Sequence, residues 1–184
     1  VIDSPSERFR RVSAHFSARV AEVPDQAWNN ASPCDDWTAR DVLVHLLTWV
    51  PALLSRGGLE FRQRNAPDDD PGAAWADFTN TIQTALDTPH LAQHTFEVGP
   101  PGTMSVQDSV DMLVTPDVLI HTWDLARATG LDERLDERIA AQTLKGMQPM
   151  DEALRASGHY GPRVKMSAEA DIQTRLLVFT GRQP

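Results

Sequence analysis

Hydrophobic residues recur at steps of three and four along most of the chain, and that spacing predicts helices. The first stripe is Phe9, Val12, Phe16, Val20 and Val23. Ser4 and Glu7 ahead of it have capping-box spacing, and Pro5 stands where a missing N–H costs nothing, so the helix starts at Ser4. Pro24 ends it, and DQAWNNASPCDD reads as a long loop of turn formers. A second start is marked by Thr38 as N-cap, Asp41 three residues on, and Trp37 placed to staple onto Val42. Val42, His45, Leu46, Trp49 and Leu53 follow at helical spacing, which puts His45 on the core face. Pro51 predicts a kink or stop, and Gly57-Gly58 a release.

NAPDDDPG is a solvated acidic loop, and a third helix is expected over roughly 73–86, burying Trp75, Phe78, Ile82 and Leu86. HTFEV reads as a short extended segment and GPPG as a turn. From Ser105, again with an acidic residue three positions on, one helix is expected to reach Gly130. Val110, Leu113, Val114, Asp117, His121, Leu125 and Ala128 share one of its faces. Pro116 interrupts it, either aiming Asp117 or simply kinking the helix. The segment from Leu131 gives another helix, weakened at Gly146 and Pro149 and closed by Gly158. Ser167 is expected to cap a last helix carrying Ile172, Leu176, Leu177 and Phe179 and ending at Gly181. Helices dominate and no alternating strand set is present. The expected fold class is therefore all-α, an up-down four-helix bundle with additional C-terminal helices, in one domain over 1–184.

Composition narrows the functional classes. With 26 acidic against 17 basic residues the net charge is -9, which argues against a nucleic-acid backbone or anionic lipid as main partner. No apolar run approaches the ~20 residues of a membrane span. The opening VIDSPSERF lacks the features of a secretion signal, and a single cysteine cannot form an internal disulfide. A cytoplasmic location is expected.

The chemistry is concentrated in LVTPDVLIHTWDLARATG, residues 113–130. Asp117 and His121 are four apart, so on a helix both point the same way, one turn apart. His45, on another apolar helix, is the best third donor. Two imidazoles and a carboxylate suit one divalent metal and leave coordination positions open. Against this stands the reading of His45 as a hydrogen-bonded core residue and of Asp117–His121 as an ordinary pair. Burial favours the metal, because a carboxylate in an apolar stripe costs several kcal/mol unless compensated. The paired Glu-x-x-His motifs of a di-iron site are absent, whereas a mononuclear iron oxygenase uses the same donor types.

Other residues are weighed beside these. Asp41 and Asp124 each read as acceptor for a ligand imidazole or, more simply, as a helix cap and as a partner of Arg127 or Arg134. Trp49 and Trp123 read as core. Cys34 is a nucleophile near a helix start or an incidental loop residue. His94 is a reserve ligand, and His15, His90 and His159 are surface residues. Arg40 and Arg127 are candidates for binding a carboxylate of a small molecule.

WTARDVLVHLL, the later DVLIHTWDLARATG, the Cys34-x-x-Trp37 lead-in and the closing RLLVFTGRQP resemble the DinB-like superfamily. Within it they resemble short single-domain members of the mycothiol-dependent maleylpyruvate isomerase N-terminal-domain group. The resemblance spans nearly the whole chain, and HTWDLARATG is its most specific part. It implies a four-helix bundle binding zinc or nickel at one end through a His on the second helix and an acidic residue and a His on a later one. Those match His45, Asp117 and His121. The isomerase itself carries Glu where this chain has Asp117, and a further C-terminal domain. Many relatives are thiol transferases using mycothiol, bacillithiol or glutathione. The expectation is a metal-dependent S-transferase or isomerase acting with a low-molecular-weight thiol on a small electrophile, as monomer or homodimer. The alternative is a non-catalytic bundle that binds a metal or small ligand.

Overall fold

A computed structural model describes residues 3–62, 64–156, 158, 160–162 and 164–184. Its backbone resolves into two compact units, Val1–Glu133 and Arg134–Pro184. The fold is all-α, with one short hairpin among the described residues.

The first unit contains four long helical runs. The first, α1 (Pro5–Glu22), begins with the expected capping box: the Ser4 hydroxyl accepts from the Glu7 N–H, and Glu7 accepts from the Ser4 N–H. The segment after Pro24 is not loop throughout, since Asp25–Asn29 forms a 3-10 turn that buries Ala27 and Trp28. Helix α2 (Ala39–Leu54) starts at the Thr38–Asp41 box. Pro51 does not end it: the proline lies in the last turn, and a 3-10 turn over Ser55–Gly57 continues the coil until Gly58, with φ 82°, releases the chain. Helix α3 (Pro71–Leu86) is capped by Asp70 and buries Trp75, Phe78, Ile82 and Leu86. A short α4 (Pro89–Ala92) leads to the hairpin of β1 (Thr95–Glu97) and β2 (Thr103–Ser105), paired antiparallel with Phe96 opposite Met104.

The helix expected from Ser105 to Gly130 is segmented. It runs as α5 (Val106–Ser109), a π turn (Val110–Val114) and α6 (Thr115–Thr129), stopped by Gly130 in the left-handed region at φ 72°. Pro116 explains the break, because it has no N–H to offer the preceding turn and its ring would clash there. The wider π turn accommodates it just before Asp117.

Helix α1 packs on α3 and α6, and α2 packs on the same two, which closes a four-helix ring. Helices α1 and α2, consecutive in the chain, lie across its diagonal. Phe9, Phe16, Leu43, Leu46, Ile82, Leu119 and Leu125 fill the centre, and Phe16 meets Trp75 at 4.3 Å between ring centroids. Helix α6 is buried on nearly every side: residues 118–126 are all buried.

In the second unit α7 (Glu137–Met147) packs on α9 (Ile172–Phe179), with α8 (Asp151–Ala156) between them in sequence. Residues 131–136 are not helical, and Asp136 caps α7. The last helix starts later than Ser167. Asp171 accepts from the Thr174 N–H as its cap, while the Ser167 hydroxyl serves a turn by accepting from the Glu169 N–H.

Candidate metal centre

Three donors meet where α2 faces α6. His45 projects from the middle of α2, and Asp117 and His121 from successive turns of α6. The Nε2 of His45 lies 3.3 Å from Oδ2 of Asp117, and the Nε2 of His121 lies 3.5 Å from Oδ1 of the same carboxylate. All three donor atoms fall within 4.8 Å of one another. Around an ion bound through bonds of ~2.0–2.1 Å, tetrahedral ligands stand about 3.3 Å apart, so the observed separations fit. The site grades from open to closed: the His45 side chain is 30% exposed, Asp117 21% and His121 5%. A ligand reaching the centre therefore approaches past His45.

Two neighbours hold the carboxylate and the inner imidazole. The Trp49 indole N–H donates to Oδ2 of Asp117 at 2.9 Å. Trp49 stands four residues after His45, the same step that separates Asp117 from His121, so each helix contributes two side chains from adjacent turns. The Nδ1 of His121 lies 2.9 Å from Oδ2 of Asp124, which is fully buried. Donation of Nδ1–H to that carboxylate leaves the Nε2 lone pair facing Asp117 and His45. Trp37 roofs the centre, its ring 4.8 Å from that of His45 and 5.9 Å from that of His121.

The electrostatics follow from this packing. In the chain alone, burial opposes charge on His121, but Asp117 and the hydrogen bond to Asp124 outweigh it, and the imidazole is pushed up to about 10. Burial also works against the Asp117 carboxylate. The imidazoles of His121 and His45, with the Trp49 N–H, overcome it and hold Asp117 below its ordinary range. Two carboxylates, that of Asp124 fully buried, thus attract one positive ring, and a divalent cation with a neutral His121 would balance both. Donor chemistry, spacing and charge all fit a metal.

The other candidates sort as follows. Asp124 pairs with His121, and Arg127 pairs instead with Glu133 at 2.8 Å, so the surface ion pair expected for Asp124 is replaced by a buried one. Its step of three from His121 was the available signal. Asp41 is a cap. Trp123 is core, as expected, but Trp49 is half-exposed and bonded into the site. Cys34 is not incidental, since its Sγ lies 3.5 Å from Oδ2 of Asp124. His94 and His90 are exposed and His15 is half-buried; none of them joins the donor group. His159 lies outside the described residues. Arg40 donates to the Pro67 carbonyl and lies over the Trp28 ring, and Arg127 lies over Trp123, so both are engaged away from the centre.

Comparison with known proteins agrees with this architecture. An uncharacterized protein of Mycobacterium tuberculosis, found in strains CDC 1551 / Oshkosh and H37Rv, is 28% identical over 151 residues, covering 76% of this chain and 75% of its own. No solved structure matches. The model of the mycothiol maleylpyruvate isomerase N-terminal domain matches residues 9–126, from the first core phenylalanine through both helices that carry the donors. The chain belongs to that family, and its helical ring is a DinB-like, mycothiol-related domain.

Proposed function

We propose that the protein is a divalent-metal-dependent enzyme that uses a low-molecular-weight thiol of the mycothiol kind as S-transferase or isomerase on a small electrophile. The convergence of His45, Asp117 and His121 from two helices carries this reading. These three residues would hold zinc or nickel. When bound, such an ion supplies Lewis acidity that favours the thiolate form of a nearby thiol. The chain's own residues do the rest. Trp49 anchors one oxygen of Asp117, and Asp124 fixes the His121 ring so that its Nε2 faces the centre. Trp37 covers both imidazoles and excludes water from one side, while the exposed edge of His45 leaves an approach for the two small molecules.

A non-catalytic, metal- or ligand-binding role has one observation in its favour. An open cleft of about 590 Å³, lined by Leu59, Arg62, Asp77 and Thr81 among others, does not include the donor residues. Metal analysis of the purified protein and of His45→Ala and His121→Ala, followed by an assay of thiol consumption with standard electrophiles, separates the possibilities. Bound metal lost in both variants, with metal-dependent thiol turnover in the wild type, is the expected result. Metal without turnover supports the binder, and metal retained in both variants removes the site.

A further inference from the structure

His121 has a carboxylate at each ring nitrogen, and only one of them belongs to the centre described above. On the far edge, Nδ1 faces Asp124 at 2.9 Å, and the Cys34 Sγ stands 3.5 Å from the same Asp124 oxygen. These three donor atoms also lie within 4.8 Å of one another. We propose that Cys34, Asp124 and Nδ1 of His121 form a second cation-binding set, and that it takes a thiophilic divalent ion such as Cd²⁺.

Three observations support the assignment. The 3.5 Å between Sγ and Oδ2 matches the ligand edge around an ion with bonds of ~2.0 Å to N or O and ~2.3 Å to S, and the 2.9 Å between Nδ1 and Oδ2, a hydrogen bond without the ion, has only a few tenths of an ångström to open. Asp124 is fully buried and His121 only 5% exposed, so the set is built into the interior rather than scattered on the surface. Cys34 is half-buried in the segment ahead of α2 and gives an ion a way in. A sulfur donor makes this set softer than the one with His45, which has only nitrogen and oxygen.

The shared ring makes the two sets alternatives. Binding at Nδ1 needs the ring proton on Nε2, where Oδ1 of Asp117, 3.5 Å away, is placed to accept it. Asp117 then does for this inner set, with Cys34, what Asp124 does for the outer one, with His45. The thiol proton of Cys34 and the Nδ1 proton of His121 leave to solvent as the Cd–S and Cd–N bonds form. One ion per chain therefore occupies the ring at a time, and the nature of the ion decides which edge it uses.

The test is titration of the full chain with Cd²⁺, read by thiolate-to-metal charge-transfer absorption in the ultraviolet. Wild type is expected to develop the band and saturate it at one equivalent. Cys34→Ser is expected to lose the band. His45→Ala, which removes a ligand of the outer set alone, is expected to keep it. Absence of the band in folded wild type overturns the proposal. So does its loss in folded His45→Ala, because that result would place the thiolate in the His45 set. Both variants sit at partly exposed positions, and far-ultraviolet circular dichroism confirms their fold. Neither outcome bears on whether the outer set binds zinc or nickel, which metal analysis reads separately.

Discussion

Oδ2 of Asp117 receives an indole N–H and faces an imidazole nitrogen, so this one oxygen fixes how the carboxylate presents itself. Replacing Trp49 by Phe keeps the ring and deletes the N–H. Loss of an outer hydrogen bond to a metal ligand weakens binding by roughly 10–100-fold. Trp49→Phe is accordingly expected to lower zinc affinity about 10-fold or more in competition with a chromogenic chelator, with its circular dichroism unchanged. Equal affinity would mean that the bond is idle. The candidate donors could be picked out in the sequence because Asp117 and His121 are related by one helical turn and because His45 interrupts an apolar stripe, and the structure brings the three together. Trp49 and Cys34 were misjudged for the opposite reason. Their partners lie 68 and 90 residues away, on another helix, and no local pattern encodes such a meeting.

Helix α2 delivers both His45 and Trp49, and its start depends on the reciprocal bonds of Thr38 and Asp41. The Thr38 hydroxyl and amide, both donating to Asp41, hold its carboxyl below the ordinary 3.8. A depressed carboxyl stabilises the fold above its unfolded pKa, and that contribution disappears as pH falls through the folded value. Thr38→Ala is expected to cost about 1 kcal/mol near neutrality, as N-cap deletions do. The gap to wild type in urea unfolding should be full above the unfolded pKa of Asp41 and narrow as pH falls below 3.8 through its lower folded value. A gap independent of pH would show that the hydroxyl and the carboxylate are not coupled. Caps such as this are readable because three or four neighbouring residues contain the whole interaction. The last helix shows the limit: Ser167 and Asp171 are both good caps, and nothing local chooses between them. The π turn left only Pro116 as its trace, since a widened turn has no residue signature of its own.

Every candidate donor lies within Val1–Glu133, so a cation held by them would act on one of the two compact units. Binding to the native state alone slows exchange through any opening that releases the ligand, by about 100-fold at 100 times Kd. Hydrogen exchange read by mass spectrometry is expected to show zinc-dependent protection in α2 and α6 and none in α7 or α9. Protection spread evenly over all four helices would contradict a centre confined to α2 and α6. Fold class was readable at this scale because helical periodicity persists through most of the chain. No composition shift, linker or repeat marks the boundary between the two compact units after Glu133. Finally, the indoles of Trp37 and Trp49 bracket His45, at 4.8 and 6.1 Å between ring centroids. A paramagnetic ion such as Ni²⁺ arriving there would dim their emission, while Trp28 and Trp75, outside that cluster of rings, keep shining. The molecule thus carries its own optical gauge of occupancy, and no dye or label is needed to watch it fill.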